Sequence, residues 1–161
     1  MSNRLRDLVA LSAAVAVPLA AGGLGSIATA SSVSTWYREL NKPSWNPPSW
    51  VFGPVWTTLY VMMGVAAWLV WREGWKTPRV RVALGLFGAQ LVFNVLWSVI
   101  FFGLRLPGWA LVEITALWGL IVATTVSFFR VNVIGGLLLV PYLLWVTFAT
   151  GLNGAIWWLN R

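Results

Sequence analysis

Three apolar stretches of the sequence carry aromatic and amide side chains at helical spacing. Trp56 and Tyr60 are four residues apart, and Met63 continues their stripe. Gln90, Asn94, Trp97 and Phe101 follow one another at intervals of four, three and four, and Tyr142, Trp145, Ala149 and Asn153 repeat the idea. Residues three and four apart share one face of a helix, so each stretch turns flat rings and amides to one side. An unpaired amide is costly in hydrocarbon, which directs Gln90, Asn94 and Asn153 into the interior of any bundle these helices form. Two readings stay open. The amides are glue between helices, each contributing about 1 kcal/mol. Or the three faces line one pocket, whose chemistry is the stacking of a large, flat, mostly apolar molecule on indole rings, oriented by a few amides.

Other chemistries are excluded by what the chain lacks. It has no Cys, so disulfides and thiolate metal sites are absent. It has no His, the commonest metal ligand and the usual general base near neutral pH. No metal site, no cofactor and no hydrolytic triad is expected. Glu113 is the carboxylate that lies well inside an apolar stretch. A carboxylate within a membrane span is a functional candidate by default, as a proton carrier or an internal hydrogen-bond partner. No second acid or base accompanies it in the span, and it lies within two turns of the segment's start, so the expectation is that it reaches toward the headgroups.

The elements that position these residues follow from composition. The chain has 161 residues, 59% of them hydrophobic and 9% charged, against about 25% charged in soluble domains. A span needs about 20 mostly apolar residues, and residues 8–27, 51–71, 82–104, 106–129 and 131–160 each qualify. The expected fold is therefore all-α, a single polytopic bundle of five transmembrane helices over residues 1–161. Arg105 and Arg130 stand alone between consecutive spans and imply tight turns. The first segment has the outline of a signal peptide, with Arg4 and Arg6 before an apolar run and Ala28-Thr29-Ala30 after it; the five-span reading takes it as an uncleaved helix, kinked or loosened by Pro18 and by Gly22, Gly23 and Gly25.

The net charge of +7 is dispersed between apolar runs, which suits anionic headgroups rather than nucleic acid. Arg4, Arg6, Arg72, Lys76, Arg79, Arg81 and Arg130 fall on one side, and Arg38, Lys42, Arg105 and Arg161 on the other. The excess places the N-terminus in the cytoplasm and the C-terminus outside, in a membrane that suits a bacterial inner membrane. The first connection, residues 31–50, is long and stiff: Pro43, Pro47 and Pro48 fix its backbone, and it carries Trp36, Tyr37, Trp45 and Trp50. Such a segment can fold back as a lid. Gly85 and Ala89 form a small-xxx-small pair that allows close approach of a second copy.

The order of these Trp and Pro positions resembles the TspO/MBR family, the translocator proteins related to the peripheral-type benzodiazepine receptor. The likeness spans nearly the whole chain. It is carried by Trp36-Tyr37-x-x-Leu40-x-Lys42-Pro43-x-Trp45-x-Pro47-Pro48, Val51-Phe52, Val55-Trp56, Leu59-Tyr60, Gln90-Leu91-x-x-Asn94-x-x-Trp97, Phe101-Phe102, Pro141-Tyr142-x-x-Trp145 and Leu152-Asn153. The resemblance implies a five-helix bundle, usually a homodimer, with a pocket under the first loop for porphyrins and other tetrapyrroles, sterols or isoquinoline-type drugs. It carries ligand contacts to Trp36, Trp45, Trp56, Tyr60, Asn94, Trp97 and Trp145, and the dimer face to Gly85 and Ala89. The C-terminal sterol motif of animal members is missing, because Trp stands where a Tyr is needed. Val33-x-x-x-Tyr37-x-x-x-x-Lys42 fits that loose pattern in the wrong place. The leading expectation is a membrane receptor or sensor for porphyrin-type ligands, with metal-free porphyrin binding at least as well as haem because no His can serve as axial ligand. The alternatives are a light-dependent porphyrin-degrading enzyme using Trp36 and Trp56, and a transporter of tetrapyrroles or sterol-like lipids.

Overall fold

The computed structural model describes residues 3–161. Its helices are α1 (Asn3–Val33), the short α2 (Trp36–Glu39), α3 (Ser49–Arg72), α4 (Pro78–Ser98) running on into a π-helical turn (Val99–Gly103), α5 (Pro107–Phe129) and α6 (Val133–Leu159). Five stretches are long and apolar enough to cross a membrane: Arg4–Val33, Ser49–Arg72, Pro78–Gly103, Pro107–Phe129 and Val133–Leu159. Around the bundle, α1 packs on α3, α3 on α6, α6 on α5, α5 on α4 and α4 back on α1, which closes a ring of five.

Local chemistry sets the ends of these helices. Pro78 and Pro107 open α4 and α5, where the missing N–H costs nothing and φ is already helical. Asn132 caps α6 by accepting from the Gly135 N–H at 2.9 Å, and its amide donates to Glu73 Oε1 at 2.8 Å, tying two turns on one side together. The turns at 104–106 and 130–132 are as short as single-residue breaks require.

The first helix departs from expectation. It is continuous from Asn3 to Val33, longer at both ends than the apolar run, and Pro18 lies inside it. Pro18 has no N–H for the Ala14 carbonyl. At that level α3 presents Gly64, where a Cβ would stand 2.7 Å from the Ala14 oxygen and 2.5 Å from the Val15 Cα. A side chain there would force the two backbones apart. Gly22 is a second contact point, because the Tyr60 ring occupies the place of its missing Cβ. Of the α1 glycines expected to loosen the helix, Gly25 faces the Ser98 side chain, whereas Gly23 has open space around it.

The long connection is not a free loop. Lys42 Nζ donates to the carbonyls of Tyr37 at 2.7 Å, Leu40 at 2.8 Å and Arg38 at 3.2 Å, gathering the chain end of α2 around one ammonium. Tyr37 donates its hydroxyl to Asn46 Oδ1 at 3.0 Å. Asn160 at the end of α6 pairs with the backbone of Asn41 in both directions at 2.9 Å. The lid-like segment is therefore clipped to the last helix.

Candidate functional site

A cavity of about 670 Å³ lies on the α2 side of the bundle. Its walls come from the C-terminal half of α1 and the N-terminal half of α3, with the end of α4, the π-helical turn and the later part of α6 completing them. Small residues form the α1 wall: Gly22, Gly23, Gly25, Ser26, Thr29 and Ala30. The opposing walls are rings. Trp56 stacks on Tyr60 with centroids 5.4 Å apart, and meets Tyr142 edge-on at 6.2 Å. Trp97 lies 5.4 Å from Phe101, and Trp145 packs edge-to-face on Phe52 at 5.8 Å. One wall of flat aromatics thus faces one wall built mostly of small residues, with Leu19 and Val33 also lining it.

Beneath the cavity runs a buried hydrogen-bonded chain. Tyr60 donates its hydroxyl to Asn94 Oδ1 at 2.6 Å. The Asn94 amide donates to the Tyr142 hydroxyl at 3.1 Å, and Tyr142 donates to Gln90 Oε1 at 2.8 Å. The Gln90 amide ends the chain at Met63 Sδ, 3.8 Å away. Each member uses its donors on the next acceptor, so no amide or phenol in the chain is left bare, which a low-dielectric interior requires. Higher up, Trp97 Nε1 donates to Asn153 Oδ1 at 3.0 Å, and the Asn153 amide reaches the Pro107 carbonyl at 2.8 Å. The amides are therefore both glue and framework: their bonds hold Tyr60 and Trp97 in the cavity wall.

Of the residues singled out from sequence, Trp56, Tyr60, Trp97 and Trp145 line the cavity. Asn94 stands one bond behind Tyr60. Trp36 packs edge-on against Phe101 at 5.8 Å, and Trp45, half exposed, packs against Phe148 at 5.7 Å; neither lines the cavity itself. Gly85 is exposed on the outer face of α4 with open space around it, and Ala89 is half-buried one turn on. Tyr37, Phe52 and Phe102 join the lining without having been singled out for it, as does the whole α1 wall. The signal for α1 was present as small residues at helical intervals, Gly22, Ser26 and Thr29, but small residues mark close contact and cavity wall alike.

The Tyr37 phenol is buried at the lid side, and burial pushes its pKa up from 10.0 to about 12. Lys42, which completes the loose sterol-type pattern, is consumed by three carbonyls and stands 5.0 Å above the Tyr37 ring. Its ammonium serves the chain rather than a ligand.

The TspO/MBR family profile matches residues 14–159. The chain belongs to the TspO/MBR family. It is 46% identical to the tryptophan-rich protein TspO of Chlorobaculum tepidum over 155 residues, covering 96% of this chain and 98% of that protein. It is 50% identical to the human translocator protein over 123 residues, 76% of this chain and 73% of that one. The tryptophan-rich sensory protein of Cereibacter sphaeroides is 46% identical over 119 residues, 73% of this chain and 72% of that protein. With five apolar helices and this membership, the chain is an integral membrane protein.

Proposed function

We propose that this member of the family is a membrane sensor that binds porphyrin-type tetrapyrroles in the cavity under α2. The observation that carries the reading is the pairing of a ring-lined wall, Trp56, Trp97 and Trp145, with a small-residue wall on α1 across about 670 Å³. That volume lies within the range of about 300–1,000 Å³ typical of small-molecule sites. A macrocycle stacks on the indoles, and Tyr60, held by Asn94, sets the depth to which it enters. The relatives named as a sensory protein and as translocator proteins support a sensing or translocating role.

Titration of the purified protein with protoporphyrin, followed by tryptophan fluorescence, tests this reading. Saturable quenching that weakens in Trp145→Ala supports it, and absence of quenching in the intact protein removes it. Metal-free porphyrin is expected to bind at least as tightly as haem. A second reading rests on the stacked Trp56–Tyr60 pair, because rings in contact can pass a radical: illumination of bound protoporphyrin that yields a new absorbing product, lost in Trp56→Phe while binding persists, makes the protein a light-dependent enzyme.

The proposal extends to the assembly. The outer face of α4 around Gly85 and Ala89 forms a homodimer contact, and bulky Gly85→Leu is expected to shift the protein toward monomer. The N-terminus lies in the cytoplasm, in keeping with the basic residues at that end; accessibility of a cysteine placed at Ser2 or at Arg161 in intact cells decides the orientation.

A further inference from the structure

The cavity has one side that is built to stay shut and one that is not. On the lid side, the chain is clipped. Lys42 gathers the carbonyls of Tyr37, Arg38 and Leu40, and Asn41 pairs with Asn160 in both directions. Entry past α2 has to break these bonds. Between α1 and α3 nothing comparable exists. Gly23, Ser26 and Ala30 of α1 and Gly53 and Thr57 of α3 line the cavity and are exposed at the same time. At Gly23 and at Gly53, no atom lies within 4 Å of the place a Cβ would take. The same two helices touch backbone to backbone at Val15 and Gly64, so they part as they run toward α2 and leave a seam with the cavity behind it.

We propose that the cavity draws its ligand from the bilayer through this seam, and that it selects flat molecules with few charges that are already dissolved in lipid; the inference rests on the porphyrin-sensing reading. The chemistry of the seam suits hydrocarbon. Its hydroxyls turn inward: Ser26 donates to the Gly22 carbonyl and Thr57 to the Gly53 carbonyl, both at 2.9 Å, and the neighbouring Thr58 donates to Pro54 at 2.9 Å. A hydroxyl in water has solvent to bond, whereas one in lipid must find its partner within the protein. Beside the seam on α1, Leu24 and Ile27 are 60% and 75% exposed, and both helices are apolar enough to cross a membrane. The cavity itself holds no charge: among the described residues, none that lines it is ionised near neutral pH. A carboxylate driven into it would lose water and gain no cation, so a porphyrin with many carboxylates is excluded and one whose carboxyls are few or masked is admitted.

Bridging the seam and bridging the lid separate the two routes. Ser26 and Gly53 stand equally far along their helices from the contact of Val15 with Gly64, so they face one another across the seam. The chain has no Cys, and Ser26→Cys with Gly53→Cys therefore supplies a single pair of thiols. A bismaleimide with a reducible spacer joins them after folding; the same reagent joins Asn41→Cys to Asn160→Cys and locks the lid. The full chain is placed in phosphatidylcholine vesicles, and protoporphyrin dimethyl ester is followed by stopped-flow quenching of tryptophan fluorescence. With the seam bridged, association is expected to slow about tenfold and dissociation by a similar factor, because a blocked route changes rates and leaves affinity alone. Reduction of the spacer should restore both rates, and the bridged lid should leave them at the parent value. Gly23→Leu, whose side chain enters open space, narrows the seam without a cross-link and should slow association in the same direction. Rates unchanged by the seam bridge overturn the proposal, as does slowing by the lid bridge. Loss of equilibrium affinity with the seam bridged overturns it too, since the bridge then fills the site and not the route. So does a polycarboxylate porphyrin confined to water that enters as fast as the ester. Absence of quenching in the unbridged protein removes the sensing reading and the route together, whereas quenching that ignores the seam removes the route alone.

Discussion

The two ends of the bundle solve the same packing problem in opposite ways. Toward the end away from α2, α1 and α3 touch backbone to backbone at Ala14, Val15 and Gly64. The interior there is filled by Val70, Val80, Ala83, Ile121, Phe128 and Leu139, with Phe87 lying 5.8 Å from Phe128. Toward α2, the same two helices enclose a cavity walled by indoles. Tyr60 marks the boundary: its ring lies against Gly22 on one side, and its hydroxyl binds Asn94 below. What differs is the residue that α1 and α3 offer each other. A backbone contact closes the gap, whereas on the open side Tyr60 is held back by its hydrogen bond to Asn94 on α4.

Substitutions on the two sides should separate stability from binding. Phe128→Ala in the closed end leaves a hole in a fully packed core, and is expected to cost about 3–5 kcal/mol while the affinity of surviving protein for porphyrin is unchanged. Thermal unfolding in detergent, paired with the fluorescence titration, reads both quantities. Asn94→Leu strikes the boundary and should damage both. It strips partners from the Tyr60 and Tyr142 hydroxyls, a loss of about 2–4 kcal/mol for two buried groups, and frees Tyr60 to swing into the cavity. Trp145→Ala in the open end is the converse of Phe128→Ala. A fall of about tenfold in porphyrin affinity is expected from one lost stacking surface, with only a small shift in unfolding temperature. If Trp145→Ala instead unfolds the protein as readily as Phe128→Ala, the distinction between the two ends collapses.

Finer substitutions sharpen the boundary. Gly22→Ala places a methyl against the Tyr60 ring, and overpacking of about 1 kcal/mol corresponds to about fivefold weaker binding. Gly23→Ala, one residue on with open space around it, should bind as the parent does. The smallest effect concerns the lid. The buried Tyr37 phenol has its pKa raised from 10.0 to about 12. Folding favours its neutral form, so that contribution is fully present below pH 10 and is lost as pH rises from 10 toward 12. Tyr37→Phe should flatten this decline in a series of melting temperatures against pH.

Much of the site was legible because helical spacing survives folding. Trp56 and Tyr60, Trp97 and Phe101, and Trp145 and Asn153 share faces by their positions in the chain, and the structure turns all six into the cavity lining. Asn94 and Gln90 were readable as interior groups, but their partners were not. The bond from Asn94 to Tyr60 joins residues 34 apart, and that from Asn94 to Tyr142 spans 48; no local pattern encodes such a pairing. The α1 wall was missed for a related reason, since Gly22 and Ser26 carry no chemistry until Tyr60 and Trp56 are set opposite them. The burial of Glu113 was not legible either, because its distance from the segment's start says nothing about which neighbouring helices cover it.

Composition and periodicity alone determined that this chain enters a membrane as helices, and which side of each helix is aromatic. Both follow from properties of single segments: apolar length against bilayer thickness, and the 3.6-residue turn. Tertiary structure alone decided that three aromatic faces surround one cavity, that the glycines of α1 belong to its opposite wall, and that Glu113 is buried without a hydrogen-bond partner. These depend on how neighbouring helices rotate and how closely they approach. Rotation and approach are set by contacts such as Gly64 on Ala14 and Asn94 between Tyr60 and Tyr142, which exist only once the helices have met.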